Sequence, residues 1–316
     1  MRLTPDGQER LPDLFRFGRH LVSSRDIDPL YPVLHDIHRT QGMEPQQALW
    51  HSFLYVAWYH LPSAMAAYEC SPLPGRWLVR HLDASWPTGI ERRNNRGGRV
   101  ADHIRSFLEA TRRTQLWDWF SDGLDMESFT PEGRIQNWRI LNERLQTIHG
   151  NGRWAAYKHL EVLRRVHNFP VWAPDMGNQF SSGPREGLAM LYGDIEGQTS
   201  RVIAKLDRQG VDLQRRLAKH GLVVDIEELE TILCNWKSLV KGKYYVGHDI
   251  DELQEQCERA VAAGVIDPGQ FELIMQARYF TLPRQYLGEV NGWVGVQRKR
   301  MTAYRDQGRI LTRRMS

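Results

Sequence analysis

The stretch Ile148-His149-Gly150-Asn151-Gly152-Arg153 constrains this chain more than any other. Upstream, Ile135, Trp138, Ile140, Leu141 and Leu145 recur at helical spacing; downstream, Ala155, Ala156, Leu160, Leu163 and Val166 do the same. Two glycines around an asparagine turn the chain tightly, because glycine reaches positive φ without a Cβ penalty. The second helix then begins with N–H groups that have no partner inside the helix and that suit a phosphate oxygen. Beyond it, Asn168-Phe169-Pro170-Val171-Trp172-Ala173-Pro174-Asp175-Met176-Gly177-Asn178 places one Asp after a proline-punctuated loop.

The rest of the chain reads as helices joined by turns. Apolar spacing predicts helices around Leu14 to Leu21, over 31–41 and 45–60, from about Val100 to 112, over 133–148, and from Arg153 to about 167. Others are expected from Gly183, over about 194–219, from Ile226 behind an Asp225 cap, and over 250–263, 268–278 and 294–306. Residues 71–89 read as a loop rich in Pro, Trp and Gly, and the tail from Arg309 as frayed. No period-2 strand series and no internal repeat is present, so the fold class is all-α. In chain order the organisation is an N-terminal helical part (1–130), a core around the turn and the Asp loop (131–220), and a C-terminal helical part (221–316), or one interlocked domain.

With 316 residues, 41% hydrophobic and 25% charged, the chain can bury a substantial core and has the composition of a soluble globular protein. No apolar run reaches about 18 residues and no signal-peptide pattern opens the chain, so neither a membrane span nor export is expected. Cys70, Cys234 and Cys257 have no CxxC spacing. That argues against zinc, iron–sulfur and disulfide frameworks and fits a reducing cytoplasm. The net charge is only +4, but arginines cluster in Gly89-Ile90-Glu91-Arg92-Arg93-Asn94-Asn95-Arg96-Gly97-Gly98-Arg99, which reads equally as a solvated loop and as a phosphate contact. The Trp50, Trp58 and Tyr59 stripe reads as core, and Cys234, beside Leu229 and Leu233, as packing rather than nucleophile.

The turn, the helix after it, the Phe-Pro loop, Asp175 and Gly177-Asn178 resemble, in that order, the helix-hairpin-helix DNA glycosylase superfamily. The resemblance implies a turn that grips the DNA backbone and an Asp that faces an everted nucleotide. Further segments narrow it. Gly89-Ile90-Glu91-Arg92-Arg93, Ser182-Gly183-Pro184-Arg185-Glu186-Gly187-Leu188, and Glu230 to Lys237 leading into Tyr244-Tyr245-Val246-Gly247-His248-Asp249 are similar to the bacteriophage α-glutamyl/putrescinyl thymine pyrophosphorylases, also described as amino acid:DNA transferases. The likeness covers roughly residues 45–255.

That resemblance implies a glycosylase-like helical scaffold, with added C-terminal helices, that hypermodifies double-stranded DNA in the cytoplasm of an infected bacterium. Its substrate would be 5-hydroxymethyluracil already carrying pyrophosphate; an amino acid or a polyamine would displace the pyrophosphate and leave the glycosidic bond intact. On this reading Gly150, Asn151, Gly152, Arg153 and Lys158 hold DNA. Arg92, Arg93, Arg96, Arg185 and Lys243 meet pyrophosphate. Asp175, His248 and Lys237 carry the chemistry, and Asn178, Gln179, Glu230, Tyr244, Tyr245 and Asp249 line the base or amine pocket. Asp175 takes the proton of the amine or holds its ammonium; His248, oriented by Asp249, is the alternative base. His248 as a structural residue, Asp249 as a helix cap, and both tyrosines as packing are the plainer alternatives. No metal ligand set is read; a monovalent cation at the turn or a divalent metal accompanying pyrophosphate stays open. Two further readings stay open as well: a true glycosylase, and a DNA-binding protein without activity.

Overall fold

The computed structural model describes residues 1–75, 79, 86–92, 95, 98–194 and 196–287. Among them are thirteen α-helices, two short 3-10 turns and no strand, so the all-α reading holds. The expected helix over 294–306 and the tail lie outside the described residues. In chain order the helices are α1 (Pro5–Ser23), α2 (Leu30–Thr40), α3 (Pro45–Trp58), α4 (Leu61–Cys70), α5 (Gly98–Thr111), α6 (Leu116–Ser121), α7 (Pro131–Gln146), α8 (Arg153–His167), α9 (Ser182–Tyr192), α10 (Ser200–Lys219), α11 (Ile226–Val240), α12 (His248–Ala262) and α13 (Pro268–Thr281).

The starts of these helices follow from side-chain chemistry. Thr130 Oγ1 accepts the Gly133 amide at 3.2 Å, with Pro131 in the first turn of α7. Asp225 and Glu228 cap α11 reciprocally, each at 2.9 Å. α1 is longer than its apolar residues suggested: Thr4 accepts the Gly7 amide at 3.0 Å and Pro5 opens the helix, so the start lies well ahead of Leu14, the first buried Leu within the helix. α4 was not expected. Tyr59 turns left-handed (φ +50°) at the end of α3, and a new helix begins after His60.

The chain divides into two compact units, each made of stretches far apart in sequence. One comprises 30–172 and 253–281. Its centre is α8, whose residues Ala155 to Leu163 are all buried, with α2, α3 and α7 packed on it. The aromatic stripe of α3 is core: Phe53 stacks on Phe107 at 3.7 Å and on Trp50 at 5.5 Å. Trp50, Phe53 and Phe107 are fully buried, each side chain contributing about 1.5–3 kcal/mol of apolar transfer.

The other unit comprises 1–29, 173–252 and 282–316. Here α9 lies directly against α11. A Cβ on Gly187 would sit 2.8 Å from the Leu233 carbonyl oxygen, and one on Gly183 2.5 Å from Cys234 Sγ. The Gly-Pro-Arg-Glu-Gly segment therefore sets a close helix approach, and Cys234 is a packing residue. Gly187→Val is expected to destabilise the protein by about 1–3 kcal/mol, because helix backbone cannot yield as a side chain can. An unchanged thermal melt would show that α9 and α11 tolerate separation.

Candidate functional site

Asp175 sits in a short loop tied at both ends. Its Oδ1 accepts the Gly177 amide at 2.8 Å, which fixes the carboxylate in a local turn. Ahead of it, the Ala173 amide donates to Glu227 Oε1 at 3.4 Å. Behind it, fully buried Asn178 donates from Nδ2 to Asp207 Oδ1 at 2.8 Å. Asp175 and Asp207 both line a cavity of about 410 Å³, together with Arg208, Val211 and Arg215 from one face of α10. Burial raises the Asp207 carboxyl above its ordinary pKa, and the Asp175 charge adds to this, while Asn178 and Arg208 pull the other way. Two carboxylates thus line one cavity, and one of them is held toward its protonated form. Asp207 was not singled out in the sequence. It lies beside Leu206 and Gln209 on the margin of the buried face of α10, where a charged residue looks like any other on an amphipathic helix.

The segment Tyr244 to Asp249 forms a second polar centre around Asp26, another residue the sequence did not mark. Asp26 is fully buried and accepts from Tyr244 Oη at 2.7 Å, from the Gly247 amide at 2.6 Å and from the Ile250 amide at 3.0 Å. It thus caps the start of α12 across a long sequence gap. Burial, then the neighbouring Asp249 charge, push its carboxyl up to about 8. Tyr244 Oη also lies 3.1 Å from Asp249 Oδ2, and Tyr245 donates to Asp251 at 2.7 Å. Both tyrosine rings are buried, so they pack and hydrogen-bond internally; the alternative of stacking on a base gives way to the packing one. His248 Nδ1 lies 2.9 Å from Asp249 Oδ1. Burial works against its charge, yet the Asp249 hydrogen bond and the fields of Asp249, Glu252 and Asp26 raise its pKa to about 9. An imidazole that basic is already protonated at neutral pH, which suits a charge donor better than a base. His248, Asp249 and Glu252 bring donor atoms within 4.8 Å of one another and could hold a cation only after His248 gave up its proton.

The cations expected to meet phosphate are not all on the surface. Arg92 is buried: Nη1 donates to Gly150 O at 3.1 Å, Nη2 lies 3.1 Å from His103 Nδ1, and Nε donates to Ala57 O at 3.4 Å. It therefore braces the turn from beneath rather than facing a ligand. Burial lowers its pKa to about 10. Gly150 has φ +92°, and a Cβ there would lie 2.6 Å from His103, so both conformation and space require glycine. Asn151 is buried behind the turn, while Gly152 and Arg153 are exposed at the start of α8, where no side chain caps the first amides. Lys158 points inward and pairs with buried Glu161 at 2.6 Å, which removes it from the backbone-gripping set. Arg185 donates to Gly197 O at 2.6 Å. Lys237 acts on Glu186 through its field, and Lys241 pairs with Glu186 at 2.5 Å. Glu230 accepts from Ser181 Oγ at 3.3 Å; Gln179 and Lys243 are exposed. Arg93 and Arg96 lie outside the described residues. No described helix is long and apolar enough to cross a membrane.

Comparison with known proteins bears on this arrangement. The family described as "Amino acid:DNA transferase" matches residues 22–245, well over half of the chain. A protein of Pseudomonas phage PaMx11 named "Glycinyltransferase" is 24% identical over 272 residues, a stretch covering 76% of this chain and 88% of the phage protein. The family match takes in Asp26, Asp175, Asp207 and Tyr244 and stops short of His248 and Asp249.

Proposed function

Because the chain belongs to the amino acid:DNA transferase family and is a transferase acting on DNA with an amino acid, we propose that it exchanges pyrophosphate for an amino acid at the C5 methylene of a modified thymine. Family membership sets a transferase in place of the glycosylase and binding-only readings. The DNA substrate on this proposal is 5-pyrophosphoryloxymethyl-deoxyuridine, and glycine is the first amino acid to test, given the name of the phage relative. The setting is the cytoplasm of an infected bacterium.

The observation that carries the proposal is the Asp175–Asp207 pair in its cavity. An amino acid enters with a protonated amine, which cannot attack until a proton leaves. A carboxylate pair holds that ammonium and accepts the proton. The amine nitrogen then bonds to the methylene carbon, the carbon–oxygen bond breaks, and pyrophosphate departs with the bonding pair. Neither the base–sugar bond nor the oxidation state of any atom changes. Departing pyrophosphate requires positive charge. His248 as imidazolium, Lys237, Arg185 and Lys243 are the groups proposed to supply it. The exposed amides at Gly152 and Arg153 would hold backbone phosphate as the base leaves the stack, which costs a few kcal/mol.

The test is pyrophosphate release from DNA carrying the pyrophosphorylated base. Release that requires both this DNA and an amino acid is expected. Abasic sites, or release with no amino acid present, would contradict the proposal.

A further inference from the structure

We infer that Asn178 and Gly210 are positioning residues that seat the Asp175 loop on α10 and so hold the Asp175 and Asp207 carboxylates in one arrangement. This rests on the proposed role of that pair and names what keeps the pair in register. Asn178 follows Asp175 in the same loop, is fully buried, and donates from Nδ2 to Asp207 Oδ1 at 2.8 Å. Its own Oδ1 has no hydrogen-bond partner among the described residues. A buried acceptor left unmatched costs about 1–3 kcal/mol, a cost that an apolar side chain of similar size avoids. What the amide supplies in return is the bond to Asp207.

The second contact lies on the same face of α10, three residues beyond Asp207. Met176, the buried neighbour of Asp175, fills the space over Gly210: a Cβ on Gly210 would stand 2.5 Å from the Met176 methyl carbon. Glycine inside a helix costs roughly 1 kcal/mol relative to alanine, so the space for Met176 is a reason for its presence. The loop is thus keyed to α10 at two points, one polar and one apolar. The charges acting on Asp207 are Asp175 from the loop and Arg208 from α10 itself. Asp212 and Arg215 line the same cavity, Asp212 paired with the Met1 amino group and Arg216, while α11 contributes the apolar Ile226. The Asn178 hydrogen bond favours the charged form of Asp207, and the Asp175 charge opposes it.

The experiment compares the wild type with Asn178→Leu and Gly210→Ala, using glycine and the pyrophosphorylated DNA. Both variants should lose about ten- to a hundredfold in kcat, the scale of a misplacement of about 1 Å, with the KM for DNA unchanged. In Asn178→Leu the acid limb of the pH–rate profile should also move to higher pH, because Asp207 loses the donor that favours its charge. Gly210→Ala should melt no lower than the wild type, since the methyl group meets only the flexible end of Met176 and alanine suits a helix better. Its loss of kcat therefore reports the loop rather than unfolding, and it decides the matter alone if Asn178→Leu does not fold. An unmoved acid limb in folded Asn178→Leu, an unchanged kcat in Gly210→Ala, or a KM for DNA that rises as kcat falls overturns the inference. Carbon-detected NMR titration of the Asp carboxyls needs no DNA and separates the two levels. If Asp207 titrates higher in Asn178→Leu while the wild type forms no product, the seat on α10 stands and the proposed reaction fails. If product forms and neither variant alters kcat or the profile, the reaction stands and the positioning role fails.

Discussion

Asp175→Asn is expected to lower turnover by about 10²- to 10⁴-fold, the usual range for loss of a positioned proton acceptor, while leaving affinity for the modified DNA unchanged. Asparagine keeps the shape of the residue, and its Oδ1 can still accept the Gly177 amide that now reaches Asp175 at 2.8 Å. The loop therefore persists and only the charge is lost. A second readout distinguishes chemistry from structure. The Asp175 charge helps to raise the Asp207 carboxyl. Without it, Asp207 returns toward the ordinary carboxylate range, and the acid limb of the pH–rate profile should move to lower pH. Equal loss of turnover and of DNA affinity, with no movement of the profile, would make Asp175 a structural residue.

Unfolding in mild acid is the second large effect expected. His51 and His159 are wholly buried, and burial lowers their pKa to about 3; His60 and His167 are lowered to about 4 for the same reason. His38 and His103 are also held well below the ordinary value. These rings are neutral in the folded protein, whereas the unfolded chain takes up protons below about pH 6.5. Their contribution is present above that value and is lost as pH falls toward 3–4. At pH 5 the loss is roughly 2 kcal/mol for each of His51 and His159. A few such groups rival the whole stability of a domain, about 5–15 kcal/mol.

Two groups act in the opposite direction. His248, raised to about 9, stabilises below about pH 6.5, and that contribution disappears as pH rises through 9. Asp26, raised to about 8, favours the fold more as pH drops below that value. The six lowered histidines outnumber them, so the melting temperature should fall steeply between about pH 7 and pH 5. His159→Phe isolates one contribution. Neither ring nitrogen of His159 has a hydrogen-bond partner among the described residues, and Phe53 and Phe120 rings lie 6.0 and 5.3 Å away. The variant should melt higher than the wild type at pH 5 and show a shallower pH dependence. A melting temperature independent of pH would contradict the burial of these rings.

Much of the fold was legible because helices announce themselves locally. Thr130-Pro131 and Asp225 sit where α7 and α11 begin, and the α3 stripe of Leu49, Phe53 and Val56 is core as its spacing implied. Asp175 stood out as a lone acid in a Pro and Gly loop. Asp207 and Asp26 did not, because their meaning is tertiary: Asp207 matters through Asn178 and Asp175, and Asp26 through amides more than two hundred residues away. The same limit misled the reading of cations. Arg92 and Lys158 have the composition of a phosphate site, but the first braces Gly150 and the second pairs with Glu161. Sequence shows that a charge exists; which way it points depends on the partners the fold brings to it. The two-unit division was likewise hidden, since its segments interleave along the chain.

The most direct measurement follows the nitrogen. DNA carrying the pyrophosphorylated base is incubated with the protein and glycine bearing a heavy-nitrogen label, then digested to nucleosides and weighed by mass spectrometry. An intact nucleoside that has gained one labelled nitrogen for each pyrophosphate released is the expected product. Labelled nitrogen absent from the nucleoside, or free base released with abasic sites left in the strand, would place the chemistry at the sugar and contradict exchange at the methylene.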